Sequence, residues 1–237
     1  MKKEHIQINS IPAIIWGEKS SKVYIAIHGD KSNKEDTVIE ILAEKTVEKG
    51  YQVLSFDLPE NGYRKNENYQ RSIQNCISDL REIMDYSQNI WKEINIFGCS
   101  TGAYFTLLTY KNELINKALF LSPIVDMLFL IENLMKYSNI SPEQLQAAKE
   151  FDTPIGKKLY WDYYSFVKTN PIVFWNIKTH ILYGSNDNLC DIKTITKFSK
   201  KFNCKLEILE NGEHFFHTKG QLDYYGNWLE KNIDVIE

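Results

Sequence analysis

The sequence predicts an α/β protein: a mostly parallel central sheet with helices on both faces. Three observations point there. Short apolar runs such as Val23–Ile27 and Ile94–Phe97 alternate with longer stretches of helical periodicity. Val23–Ile27 is apolar at every position, as a strand covered on both faces is, rather than at every second one. The alternation begins only after two apolar stretches, His5–Ile8 and Ile11–Trp16, which Asn9-Ser10 separates as an antiparallel hairpin.

The elements follow in order. Val23–Ile27 is a strand running into His28-Gly29. Residues Val38–Lys49 have helical spacing and stop at Gly50, a residue suited to the left-handed position after a helix. Tyr51–Phe56 is the next strand, leading into Asp57-Leu58-Pro59 and a polar loop. Ile73, Ile77, Leu80 and Met84 share one helical face. Ile94–Phe97 is a strand, Thr101–Tyr110 a helix and Ala118–Leu121 a strand ending at Ser122-Pro123. From Pro123 to Pro171 the pattern is helical and irregular, with no clear strand. Within it Ser141 and Gln144 form a capping box, with Pro142 at the first helical position. The alternation then resumes with a strand at Thr179–Tyr183, a helix at Ile192–Phe202, a strand at Lys205–Leu209 and a closing helix from Lys219 to Lys231.

Bulk properties narrow the function. A length of 237 residues suits one α/β domain with an inserted segment. A net charge of −3 and only three arginines (Arg64, Arg71, Arg81) give no nucleic-acid footprint. Lys2 and Lys3 are not followed by an apolar core, so no signal peptide is expected. The richest apolar run, Ile124–Ile131, is interrupted by Asp126 and is too short to span a membrane. Cys76, Cys99, Cys190 and Cys204 have no C-x-x-C spacing. Reduced thiols, a cytoplasmic location and no metal site are therefore expected. No G-x-G-x-x-G follows the first parallel strand, which leaves dinucleotide binding unsupported.

Three short stretches carry chemistry. Gly98-Cys99-Ser100-Thr101-Gly102 reads G-x-S-x-G between a strand and a helix. Small neighbours let the two segments approach, and the helix directs its positive end at the serine. Ser100 is thus a candidate nucleophile, or else an N-cap, which serine also favours. Asp187 lies in Tyr183-Gly184-Ser185-Asn186-Asp187, just past a strand, where it is placed to orient an imidazole or simply to occupy a turn. Asp191 is the weaker candidate and looks like a helix cap. His214 follows a Gly-containing turn in Asn211–His217 and is the favoured base, with His217 as competitor. All three stretches follow strand ends, where open parallel sheets bind ligands. Cys99 reads as a structural thiol.

With these residues in the order Ser, Asp, His, the sequence resembles the α/β-hydrolase superfamily over essentially its whole length. The matching positions are His28-Gly29, Gly98 to Gly102, Asp187 and His214, with Asp57-Leu58-Pro59 resembling a D-x-P turn. The segment His28–Asp36 is similar to the H-G-x-x-x-N-K-x-x loops of small bacterial carboxylesterases, acyl and feruloyl ester hydrolases among them. The resemblance implies a core of residues 1–122 and 172–237 and a helical cap over 123–171. It implies a cofactor-independent serine hydrolase of small carboxylic esters, with an oxyanion hole from the Asp30 and Thr101 N–H groups. A thioesterase or other acyl hydrolase is the near alternative, and a non-catalytic binding protein of the same fold the distant one. The expected partner is a small-molecule ester, with no nucleic acid and no membrane; the oligomeric state is left open.

Two features depart from that pattern. Asp30 places a carboxylate beside the presumed oxyanion. It is acceptable there if turned into solvent, if paired with Lys31 or Lys34, or if used to recognise a cationic or hydroxyl-bearing substrate. Glu213 stands next to His214 and bears on it only if the two side chains meet. The cap is rich in aromatic residues, most of them expected to pack it onto the core. Met127, Tyr160, Trp161 and Tyr164 are the candidate pocket wall, which would favour apolar acyl or aryl groups.

Overall fold

The computed structural model describes residues 1–234; residues 235–237, the end of the second core segment, lie outside the described residues. An eight-stranded sheet runs through the molecule in the order β1 (Lys3–Ile8), β2 (Ile11–Trp16), β4 (Gln52–Phe56), β3 (Lys22–Ile27), β5 (Glu93–Cys99), β6 (Lys117–Leu121), β9 (Thr179–Gly184) and β10 (Lys205–Leu209). β1 and β2 form the antiparallel hairpin, β2 joins β4 antiparallel, and every later pairing is parallel. This is the α/β architecture expected from the sequence.

Side chains alternate across the sheet and feed two cores. Val23, Ile25 and Ile27 face α2 (Ile73–Gln88), α3 (Thr101–Thr109) and α7 (Ile192–Lys201). Tyr24 and Ala26 face α1 (Thr37–Val47) and α8 (Lys219–Asn232). The period-2 geometry of a strand explains why Val23–Ile27 is apolar throughout: both faces are covered. Packing, not capping, holds α1. Asp36 gives it no side-chain cap, which forgoes about 1 kcal/mol. Ile39 and Leu42 are fully buried, each contributing roughly 1.5–3 kcal/mol.

Between β6 and β9 the chain leaves the sheet. It forms α4 (Met127–Tyr137), α5 (Pro142–Ala148), a small antiparallel pair β7 (Glu150–Asp152) and β8 (Lys158–Tyr160), and α6 (Trp161–Thr169). The capping box at Ser141 is present: the Gln144 N–H donates to Ser141 Oγ at 3.2 Å, and the Ser141 N–H to Gln144 Oε1 at 2.7 Å. The β7–β8 pair corrects the expectation of a strandless insert. Its strands are three residues each, too short for periodicity to mark, and Thr153 and Lys157 close the turn between them. Met127, Ile131, Leu145 and Leu159 belong to the same core cluster as α2 and α3, so this segment extends that face. No helix of the described residues is long and apolar enough to cross a membrane.

Candidate active site

Ser100 sits where β5 turns into α3, with φ 52° and ψ −119°. A non-glycine residue at positive φ is strained and persists only where its surroundings over-determine it. Here the backbone is held from three sides. The Ser100 N–H donates to Leu121 O at 3.0 Å, and Ser100 O accepts from the N–H groups of Ala103 (3.2 Å) and Ile124 (3.1 Å). Gly102 is required because a Cβ there would lie 2.4 Å from Ile27 O and 2.5 Å from His28 O. The elbow therefore packs directly on the loop after β3. The Ser100 hydroxyl makes no cap hydrogen bond to α3; it meets His214 instead.

Ser100 Oγ lies 2.8 Å from His214 Nε2, and His214 Nδ1 lies 2.7 Å from Asp187 Oδ2. The other carboxylate oxygen, Asp187 Oδ1, accepts from the N–H groups of Leu189 (2.8 Å) and Cys190 (3.0 Å). The Asp187 side chain is fully buried. An ionised carboxylate accepts only, so Nδ1 carries the proton toward Asp187 and Nε2 is left to accept from the serine hydroxyl. The two loops are stitched together: the Asn186 N–H donates to Gly212 O at 2.7 Å, and the Ser185 N–H to Leu209 O at 3.0 Å.

The competitors lie elsewhere. His217 is exposed, with Nδ1 3.3 Å from Glu213 and 2.8 Å from Phe215 O. Glu213 thus faces His217 and not His214. Asp191 caps α7, accepting from the Thr194 N–H at 2.7 Å. Desolvation raises the Cys99 thiol to about 12, which keeps it protonated.

His28 and Asp57 serve the loops. Buried His28 donates from Nδ1 to Gly29 O (2.7 Å) and accepts at Nε2 from the Leu58 N–H (3.0 Å). Burial lowers its pKa to about 4, so the ring is neutral and joins the loops after β3 and β4. Asp57 accepts from Lys34 Nζ at 2.7 Å and from the N–H groups of Lys34 (2.9 Å) and Tyr63 (3.0 Å). Lys34 is therefore committed to Asp57 and is not the partner of Asp30. Lys31 makes no ion pair with Asp30 either.

Asp30 takes its cations from distant segments: Arg71, just before α2, and Lys157, in the β7–β8 turn, each contact one carboxylate oxygen. Arg71 also donates to Thr101 Oγ1 at 2.7 Å. Neither the Asp30 N–H nor the Thr101 N–H donates to any group among the described residues. A Cβ placed on Gly29 would lie 3.7 Å from Ser100 Oγ, so this loop runs beside the serine hydroxyl.

A cavity of about 300 Å³ opens above Thr101, Asp30 and Arg71. Met127, Leu130, Ile131 and Leu134 of α4 form one wall, and Leu159, Tyr160 and Tyr163 another. Of the candidate wall residues, Met127 and Tyr160 line this cavity. Trp161 and Tyr164 do not line the cavity: their rings pack together at 5.7 Å, and Tyr164 and Val167 form the buried face of α6. Tyr163, one position away on the helix, takes the place expected for Tyr164. Arg71 and Lys157 were not legible as site residues; the only sequence signal is that Arg71 is one of three arginines. Among the described residues no group of three or more His, Cys, Asp or Glu is disposed to hold a metal ion.

Strand order, the serine on its elbow and the three loops at one sheet edge define the α/β-hydrolase fold, and the chain has that fold. Comparison with known proteins agrees. No protein-family model and no curated protein matches the sequence. Solved structures do match. Est1E from Butyrivibrio proteoclasticus, in a structure with ferulic acid bound, gives a TM-score of 0.76 at 19% identity, covering 97% of each chain. The mouse alpha/beta hydrolase domain-containing protein 10 gives 0.75 at 13% identity, with 98% of each chain covered. A thioesterase domain from the curacin biosynthetic pathway gives 0.63 at 13% identity, again over 98% of each chain.

Proposed function

We propose that the chain is a serine hydrolase that cleaves small carboxylic esters through Ser100, His214 and Asp187. The observation that carries the reading is the unbroken hydrogen-bonded row from the Ser100 hydroxyl through His214 to buried Asp187. In the proposed reaction Ser100 Oγ attacks the acyl carbonyl carbon while His214 Nε2 takes the hydroxyl proton. Asp187 holds the ring tautomer and stabilises the imidazolium. The carbonyl oxygen, now negative, accepts from the Asp30 and Thr101 N–H groups; losing one such donor typically costs roughly 10²–10³ in rate. The tetrahedral adduct collapses, the C–O bond to the leaving group breaks, and His214 returns the proton to the departing alcohol. Water then attacks the acyl-enzyme by the same steps and releases the acid.

The acyl group is assigned to the cavity above Thr101, whose α4 wall suits an apolar chain or aryl group. Residues 123–171 act as its cap in this reading. A small-molecule ester is the proposed partner, and the unpaired state of all four cysteines fits a cytoplasmic setting.

Labelling with a fluorophosphonate probe tests the nucleophile. Wild type should label and Ser100→Ala should not; an unlabelled wild type or a labelled alanine variant overturns the assignment. His214→Ala should abolish turnover of a nitrophenyl ester and His217→Ala should leave it. An ester panel with matched thioesters reads the substrate class, and a preference for short charged acyl groups would refute the apolar pocket.

A further inference from the structure

The site holds one arrangement that the triad does not use. Arg71 precedes α2 and belongs neither to the β3 loop nor to the elbow. Yet one of its terminal nitrogens donates to the Asp30 carboxylate and the other to Thr101 Oγ1 at 2.7 Å. Asp30 and Thr101 are the residues whose N–H groups, bonded to no acceptor among the described residues, the proposed reaction assigns to the oxyanion. A guanidinium is planar and rigid, so its two arms set the spacing of whatever they hold. The Phe105 ring lies 5.8 Å from its centre and supports it from α3.

Charge points the same way. An oxyanion forming next to an unpaired carboxylate would be disfavoured. Asp30 is instead paired twice, by Arg71 and by Lys157, which leaves the group with one positive charge in excess. Arg71 is the more buried cation, with 14% of its side chain exposed against 38% for Lys157, so solvent screens it less.

We propose that Arg71 is a positioning residue of the oxyanion site: it holds Asp30 and Thr101 so that their N–H groups converge, and it neutralises the Asp30 carboxylate. This rests on the serine-hydrolase reading above and assigns a specific residue to it. The brace acts on the transition state more than on bound substrate, so it bears on kcat rather than on KM.

The test measures acylation and steady-state turnover of p-nitrophenyl acetate by wild type, Arg71→Gln, Arg71→Lys, Asp30→Asn and the Arg71→Gln/Asp30→Asn double variant. Arg81→Gln, an exposed arginine on α2, is the control and should match wild type. Arg71→Gln should lose about 10- to 100-fold in kcat, less than outright removal of a donor, with KM within about threefold. Arg71→Lys should recover part of the loss, because it keeps the charge without the fork. Asp30→Asn in the Arg71→Gln background should also recover part, because it removes the unpaired carboxylate. A rise in KM alone, or a loss that neither variant relieves, overturns the proposal. Wild-type acylation with equally fast Arg71→Gln acylation overturns this inference only. A wild type that forms no acyl-enzyme at Ser100 overturns the hydrolase reading, and this inference with it.

Discussion

Replacing Ser100 by glycine should make the protein more stable than replacing it by alanine. Both changes delete the hydroxyl and its hydrogen bond to His214, so that loss cancels between them. What differs is the backbone. At φ 52° and ψ −119° a residue with a Cβ carries strain of about 1–3 kcal/mol. Alanine keeps that strain and glycine relieves it. Against this, glycine loses more chain entropy on folding, about 0.4–1 kcal/mol. The backbone bonds to Leu121, Ala103 and Ile124 persist in both. The balance favours Ser100→Gly by about 1 kcal/mol, or roughly 2–4 °C in melting temperature for a chain of this size. Urea and thermal unfolding of the two variants side by side read the difference. An alanine variant as stable as the glycine one would refute the argument that the elbow is a strained conformation held by its neighbours.

Other outcomes follow from the same geometry. Asp187→Asn should lower kcat by about 10³–10⁴ through the wrong imidazole tautomer; because Oδ1 can still accept from Leu189 and Cys190, the melting temperature should change little by comparison. Gly102→Ala should cost more than about 2 kcal/mol in urea unfolding, since its methyl would sit 2.4 Å from a backbone oxygen that cannot swing away. His28 has a folded pKa near 4 against an ordinary value of 6.5, so its neutral form contributes fully above pH 6.5. As pH falls from 6.5 toward 4 the unfolded chain takes up a proton that the folded one refuses, and up to about 3 kcal/mol is lost. Wild-type stability should therefore fall more steeply over that window than that of His28→Asn, and parallel slopes would count against the assignment.

What was legible in the sequence is what local chemistry marks. β3, β5 and β6 announced themselves because both of their faces are buried, and each candidate triad residue follows a strand end at a turn. The ion pairs on Asp30 carry no such mark. Lys31 and Lys34 are near in sequence, yet the cations come from Arg71 and Lys157, brought in by the paths of α2 and the β7–β8 turn. Lys34 was spoken for because Asp57 is buried and needs a cation more than partly exposed Asp30 does. On α6 the error was one of phase. Tyr160, Trp161, Tyr163 and Tyr164 are all aromatic, so hydrophobicity alone does not say which side of the helix meets the cavity. Tyr164 and Val167 went to the core, and Tyr163 was left to the cavity.

The separation of the three candidate residues along the sheet explains Gly184 and Gly212. Ser100 follows β5, while His214 follows β10, three strands away across β6 and β9. At about 4.8 Å per strand that is roughly 14 Å, more than an imidazole side chain spans. The loop after β10 must therefore fold back over the end of β9 to bring the ring to the serine. It does so where Gly212 lies on Gly184, so closely that a Cβ on Gly184 would fall 2.4 Å from the Gly212 carbonyl carbon. The same crossing lets Gly212 O accept from the Asn186 N–H, next to Asp187. One close backbone approach thus sets His214 and Asp187 together. The reach of His214 to Ser100 and its spacing to Asp187 therefore both depend on this contact.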